Sequence, residues 1–346
     1  MSPMSLFDKG IYLEQHKEPA FSHDLLLAEG ISFPKFSAEK FLAMPNDYLY
    51  KVMEFSKIRD EFSGMTLLEL ANAAIRQRVH TLVINAADDD PYTSSSVVPL
   101  LRHEDYALLG ARLFARVVRA KELSIAVNSE IDTDGTMYRY PDEIDGVEVK
   151  KIRKRYPIAS RVGECYQEKT AVVGVGALIN FAKTIIDGET SRICFVTVAG
   201  DCVARPVNVA VLSGTPIREL FAMAGGGKPP QKMILGAMMT GRAVESDEIG
   251  VEVTTKSLIA LSHYTVKTGL NCIGCGRCVR VCPKHISPYY LYKCSKRGID
   301  APTLFKLAEQ CDLCGCCSYV CPGTCNPTHY IKLYKKKVQA SAAKEE

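Results

Sequence analysis

Cys272-Ile-Gly-Cys275-Gly-Arg-Cys278-Val-Arg-Val-Cys282-Pro283 and Cys311-Asp-Leu-Cys314-Gly-Cys316-Cys317-Ser-Tyr-Val-Cys321-Pro322 decide how this chain reads. Both runs have the spacing C-x2-C-x2-C-x3-C-P. Thiolate sulfur is the soft, anionic ligand that iron in a cubane cluster needs, and three cysteines so spaced can wrap one cluster from a single tight loop. The fourth ligand must come from elsewhere.

In two-cluster ferredoxins of this spacing the last cysteine of each run ligates the other cluster. That assigns Cys272, Cys275, Cys278 and Cys321 to one [4Fe-4S] centre and Cys311, Cys314, Cys317 and Cys282 to a second. Neither centre can then be built without both runs, so the stretch is expected to fold as one pseudo-symmetric unit. Disulfides would need an oxidising compartment and a small chain short of core. Zinc usually takes two C-x2-C pairs and has no use for a third cysteine three residues on. A purely structural iron-sulfur site is the remaining competitor, but it needs four cysteines rather than eight, and two coupled sites favour electron transport. Cys294, Cys316 and Cys325 are read as small buried hydrophobes near the clusters.

At 346 residues the chain exceeds one comfortable core, so two or three domains are expected. Hydrophobic residues at 47% and charged residues at 24% exclude a disordered chain. The clusters call for a reducing cytosol, no signal peptide is read at Met1-Ser-Pro-Met-Ser-Leu-Phe-Asp8, and the apolar stretch 171–186 is too short and too polar to span a bilayer. The net charge of +4 conceals an asymmetry: from Cys272 onward there are 12 Lys and Arg against 5 Asp and Glu. Arg277, Arg280 and Lys284 lie within or beside the first run, Lys293, Lys296 and Arg297 follow it, and Lys332, Lys335, Lys336 and Lys337 form a tail. A basic face suits an acidic electron carrier, whose encounter it would speed; nucleic acid is the weaker alternative.

Residues 1–62 show no strong periodicity and read as an irregular extension with one or two short helices. Thr66 and Glu69 make a capping box ahead of the apolar stripe Leu67, Leu70, Ala71, Ala74, Ile75. Strand Thr81–Asn85, helix Glu104–Ala120 and strand Leu123–Val127 follow in βαβ order, continued by Val147–Ile152 and by strand, glycine turn and helix over Val172–Asp187. Pro141-Asp-Glu-Ile-Asp-Gly146 reads as a surface turn. Strands are expected at Ile193–Ala199, Val207–Leu212 and Lys232–Leu235, with a helix Pro216–Met223 started by Thr215. Ala224-Gly-Gly-Gly-Lys228-Pro-Pro230 looks superficially like a phosphate loop, but Pro229 follows the lysine and no helix opens there, so a tight turn is expected; Gly174-Val-Gly176 is likewise read as a close strand-to-helix turn.

With these residues in view, the chain resembles the C subunit of the Rnf ferredoxin:NAD oxidoreductase (RnfC-like) and its relatives, which include cobalamin reductases, proline reductase-associated electron carriers and, more distantly, the NADH-binding subunit of respiratory complex I. Besides the cysteine runs, the pieces that carry this are Val83-Ile-Asn85-Ala-Ala-Asp88-Asp-Asp90-Pro91-Tyr92, Arg155-Tyr156-Pro157, the turn from Gly174 to Asn180, Val198-Ala-Gly200 and Gly236-Ala-Met238-Met239-Thr-Gly241. The resemblance implies α/β plus α+β architecture. Its parts are an extension over 1–62, a Rossmann-like domain over 63–190, a small β-grasp (SLBB-like) domain over 191–256, a two-[4Fe-4S] ferredoxin-like domain over 257–338 and a tail over 339–346.

Departures from the family bear on its flavin. The glycine-rich loop that would lie between the first helix and strand Thr81–Asn85 is missing, because Gln77-Arg78-Val79-His80 runs straight into the strand. Gly30-Ile-Ser-Phe33-Pro34 echoes only its ending. Asp88 and Asp90 stand where the family has Glu, and Ile158-Ala-Ser-Arg-Val-Gly163 replaces a glycine-rich segment. Asn85, Asp88 and Asp90 are therefore the candidate residues of a degenerate flavin and NADH site, with a polar loop around Asp88, Asp89 and Asp90 as the competing reading. The expected function is a relay of single electrons between a soluble carrier, ferredoxin or a flavoprotein, and a partner reductase or membrane complex, in the cytoplasm, with no residue acting as acid, base or nucleophile. An FMN-dependent NADH oxidoreductase and a cluster-stapled scaffold for a ligand-binding module are the alternatives.

Overall fold

The computed structural model describes residues 26–27, 31–88, 90, 92–129, 131–133, 136–138, 140–152, 156–166, 169–264 and 271–342. The first 25 residues of the extension, Gly30 of the Gly30–Pro34 echo, Asp89, Pro91, Arg155 and the end of the tail lie outside them. The chain divides into two compact units, one formed mainly by 14–264 and one by 265–346 together with 155–157.

The larger unit opens with strand β1 (Leu26–Leu27) and helices α1 (Ala38–Leu42), α2 (Asn46–Ser56) and α3 (Leu67–Gln77). The capping box at Thr66 and Glu69 is formed as expected: each side chain accepts the other's backbone N–H, at 3.2 and 2.7 Å. There follow β2 (Thr81–Asn85), α4 (Val97–Arg102), α5 (Glu104–Val118), β3 (Glu122–Asn128), the hairpin β4 (Ile131–Thr133) and β5 (Thr136–Tyr138), β6 (Glu143–Ile144), β7 (Val147–Ile152), a 3-10 helix (Ala159–Cys165), β8 (Thr170–Gly174) and α6 (Val175–Asp187). One sheet has the order β6-β7-β3-β2-β8, parallel throughout except β6. Leu82 and Ile84 send their side chains to the face covered by α5 and α6, while Val83, one residue along, packs on the opposite face with Ile158 and Val162. Pro141–Gly146 is more than a surface turn. Glu143 and Ile144 pair with β7 across Asp145 and Gly146, both at positive φ, the geometry of a two-residue hairpin.

After Gly188 come β9 (Ile193–Ala199), β10 (Val207–Leu212), α7 (Ile217–Met223), β11 (Lys232–Gly236), β12 (Arg242–Val244) and β13 (Ser257–Leu261). With β1 they form a mixed sheet in the order β1-β10-β9-β13-β11-β12. Val196 and Val198 face Ile217 and Leu220 of α7, which gives the module a core of its own. The resemblance put the end of this module at residue 256; β13, just beyond, lies between β9 and β11, parallel to one and antiparallel to the other. Thr215 does not start α7. Its hydroxyl donates to the Leu212 carbonyl at 2.8 Å, and Pro216 is the residue before the helix. The Gly225–Gly227 run forms the expected tight turn, all three glycines at positive φ, with Gly227 bridged to Val203.

The smaller unit is helical: α8 (Arg277–Val281), α9 (Pro288–Arg297), α10 (Pro302–Glu309), α11 (Cys316–Tyr319) and α12 (Pro327–Ala342). Among the described residues no helix is long and apolar enough to cross a membrane.

Candidate iron-sulfur centres

The two cysteine runs repeat each other at an offset of 39 residues, from Cys272 and Cys311 through Cys282 and Cys321 to Pro288 and Pro327 at the starts of α9 and α12. The backbone repeats with them. Gly274 and Gly276 have φ of 70 and 71°, and their counterparts Leu313 and Gly315 have 55 and 83°; His285 and Thr324 match at 56 and 49°. Left-handed residues at these places turn the loop sharply, and glycine takes three of the four positions in the two cysteine loops because it does so without strain. Leu313 bears the cost. Hydrogen bonds recur in register: Cys282 N–H donates to Val279 O and Cys321 N–H to Ser318 O, both at 3.3 Å. Helix α8 packs on α11, and α9 on α12.

This pseudo-symmetric pairing interleaves the sulfurs. Cys272, Cys275, Cys278 and Cys321 line one cavity of about 410 Å³, counting the space open to solvent, along with Tyr289, Tyr292 and Cys325. Cys282, the last of its own run, instead lies in the field of Cys314, and Cys311 and Cys317 each feel both Cys314 and Cys282. Cys272, Cys275, Cys278 and Cys321 thus share one cavity, and Cys282, Cys311, Cys314 and Cys317 lie within one another's electrostatic reach. No three His, Cys, Asp or Glu side chains among the described residues are close enough to share a single metal ion.

Burial pushes the Cys311 thiol up to about 11 and the Cys317 thiol up to about 12, whereas hydrogen bonding from Cys316 lowers that of Cys314. Thiolates in such surroundings need a cation to offset their charge, and iron would displace the protons. The donor set thus fits [4Fe-4S] clusters. The environments differ: Cys275 is exposed, while Cys282 and Cys317 are 6% and 8% exposed. Cys316 and Cys325 are buried as expected, Cys325 as part of the first cavity's wall; Cys294 is half-buried.

Lys284 and Asp312 pair at 3.3 Å and tie one run to the other, and Lys335 donates to the Cys311 carbonyl at 2.7 Å. Tyr156 also reaches the second run, its hydroxyl donating to the Cys314 carbonyl. Around the first cavity Ile273, Val279, Arg277 and Arg280 are exposed.

The candidate flavin residues are differently engaged. Asn85 donates to Ala159 O at 2.8 Å and accepts from Ala87 N–H at 3.1 Å. Asp88 Oδ2 accepts from the N–H groups of Ser96 and Val97 at 2.8 and 3.0 Å, serving the start of α4, and burial pushes its carboxyl above the usual range. Asp90 accepts from Met239 N–H at 3.3 Å. Of the buried oxygens without a hydrogen bond here, Asp88 Oδ1 and Asn128 Oδ1 only accept, whereas Thr93 Oγ1 and Ser96 Oγ are hydroxyls that also donate. At the end of β8, Asp60 and Glu61 take up the N–H groups of Gly174, Gly176 and Ala177. The candidate flavin residues are thus engaged within the fold, and the amides at the start of α6 are taken by the chain's own carboxylates. Asp60 and Glu61 were not singled out from sequence, since they lie 114 to 116 residues from their partners and carry no local motif.

Family models match at two places: an SLBB domain over residues 195–245 and a 4Fe-4S binding domain over 270–286. The chain is 26% identical over 239 residues to the C subunit of the ion-translocating oxidoreductase complex of Rhodobacter capsulatus, covering 64% of this chain and 46% of that protein. It is 25% identical to the C subunit of the Na(+)-translocating ferredoxin:NAD(+) oxidoreductase complex of Acetobacterium woodii, covering 64% and 54%. The chain spans about half the length of these curated relatives. Among solved structures, a chain of the NAD+-reducing [NiFe]-hydrogenase in the H2-reduced state superposes with a TM-score of 0.55 at 12% identity, over 88% of this chain and 64% of that one, a likeness of fold.

Proposed function

We propose that this chain, which is similar to RnfC subunits and matches an SLBB domain and a 4Fe-4S binding domain, relays electrons, one at a time, between a soluble acidic carrier, ferredoxin or a flavoprotein, and a membrane oxidoreductase complex to which it binds peripherally. What supports this most is that Cys321 of the second run shares a cavity with Cys272, Cys275 and Cys278, while Cys282 of the first lies within reach of Cys311, Cys314 and Cys317. In this reading Cys272, Cys275, Cys278 and Cys321 hold one [4Fe-4S] cluster, and Cys311, Cys314, Cys317 and Cys282 hold the other. Such clusters supply reversible one-electron transfer when bound.

The protein's own residues set the route. The first group opens to solvent beside Ile273, Val279, Arg277 and Arg280, a small apolar patch within positive charge, which is the complement of an acidic carrier's docking face. In the second group Cys282 and Cys317 are buried with Ile286, Leu291, Ala308 and Ile331, while Cys311 and Cys314 are half-buried. A cluster held by the first group would be the one open to exchange with the carrier, and a cluster held by the second would receive its electrons. Iron and sulfide analysis of protein prepared without oxygen tests this, with about eight irons per chain and a paramagnetic signal on reduction expected. A content of about four or fewer, or no signal with a strong reductant, would refute it.

A further inference from the structure

The turn between β8 and α6 lies at the carboxyl edge of a parallel sheet, where a glycine turn opens a helix of thirteen residues. In doubly wound folds this is where a phosphate is held, because the first N–H groups of the helix have no partner within it and its dipole favours an anion. Here an anion is already in place, and it is part of the chain.

Glu61 Oε1 accepts from Gly176 N–H at 2.7 Å, its Oε2 from Ala177 N–H at 3.0 Å, and Asp60 Oδ1 accepts from Gly174 N–H at 2.7 Å. The glycines are shaped around the carboxylate. A Cβ on Gly174 would come within 2.2 Å of the Glu61 carboxyl carbon, and one on Gly176 within 3.1 Å of Oε1. Arg59 and Lys256 line the same cavity with Ser95 and Asn180, about 310 Å³ counting the space open to solvent.

We propose that Glu61, with Asp60 beside it, is a built-in substitute for the phosphate of a nucleotide cofactor, so that the chain holds this edge of the sheet together while excluding flavin mononucleotide. Burial and the Asp60 charge push the Glu61 carboxyl up to about 7, against the pull of the Gly176 amide and Lys256. A phosphate monoester takes its second charge in a similar range.

The test uses the full chain with its clusters, as native protein, Glu61→Ala and Glu61→Gln. Flavin mononucleotide is titrated by fluorescence, and thermal unfolding is followed in inorganic phosphate and in chloride at equal ionic strength. The native protein is expected to bind no flavin mononucleotide and to melt alike in both salts. The alanine variant is expected to melt several degrees lower in chloride and to recover most of the loss in phosphate, with the glutamine variant, which keeps the shape, recovering less. One flavin mononucleotide bound per native chain, or an alanine variant that responds equally to both salts, would overturn the proposal. If the alanine variant does not fold in chloride, its refolding yield in phosphate against chloride decides the question instead: a higher yield in phosphate supports the proposal and equal yields overturn it. The outcome is separate from the electron relay, since it does not depend on iron content.

Discussion

Asn180, on helix α6, holds the backbone of Ile193 with two hydrogen bonds, its Nδ2 donating to the Ile193 carbonyl at 2.9 Å and its Oδ1 accepting from the Ile193 N–H at 2.7 Å. An amide side chain thus stands in for a neighbouring strand at the start of β9, where the Rossmann-like part of the unit passes into the SLBB module. Replacing Asn180 with leucine leaves both backbone groups buried without partners, at about 1–3 kcal/mol each. Chemical denaturation is expected to show a loss on the order of 3 kcal/mol, against little loss for a polar surface change such as Glu189→Gln.

Gly110 shows a similar closeness between α5 and α6. A Cβ there would come 2.1 Å from the Leu178 carbonyl oxygen, which is backbone and cannot move aside alone. Alanine gains about 1 kcal/mol over glycine in a helix interior, whereas overpacking costs about 1–3 kcal/mol and more against backbone. Gly110→Ala is therefore expected to destabilise despite the better helix former, as read by the midpoint of a urea titration.

Cluster loading is expected to follow the crossed pairing. Cys282→Ser should remove the centre built mainly on the second run, and Cys321→Ser the centre built mainly on the first, each leaving about four of about eight irons. Iron analysis with paramagnetic resonance distinguishes this from in-run pairing, under which each substitution would abolish the other signal.

Charge at the first group should govern the encounter with a carrier. The double change Arg277→Glu, Arg280→Glu is expected to slow reduction by an acidic ferredoxin about tenfold at low ionic strength, with the difference fading as salt rises. Stopped-flow rates across a salt series check it; a salt-independent difference would point to damage at the centre.

Glu61 sets a slope of stability with pH. Its folded pKa of about 7 lies above the ordinary 4.5, so the folded chain binds the proton more tightly than the unfolded one. The associated stability is full below about pH 4.5 and is lost as pH rises through about 7. Lys256 and Arg59 line the same cavity, and the Asp60 charge acts on Glu61 from beside it. Urea denaturation between these limits is expected to show native stability falling relative to Glu61→Gln, and parallel curves would contradict it.

The cysteine spacing and the alternation of apolar residues determined much by themselves. Ligand geometry allows few spacings around a cubane, and strands such as Thr81–Asn85 or Ile193–Ala199 carry their pattern in consecutive residues, so both are local and legible. The missing glycine loop before β2 was legible for the same reason. What only the tertiary structure decided are pairings between residues far apart in the chain: β13 between β9 and β11, Asn180 against Ile193, and Glu61 in the turn at Gly176. An acidic pair in a loop has no local signature that tells solvent from a helix end, because only the folded sheet brings the unpartnered amides within its reach.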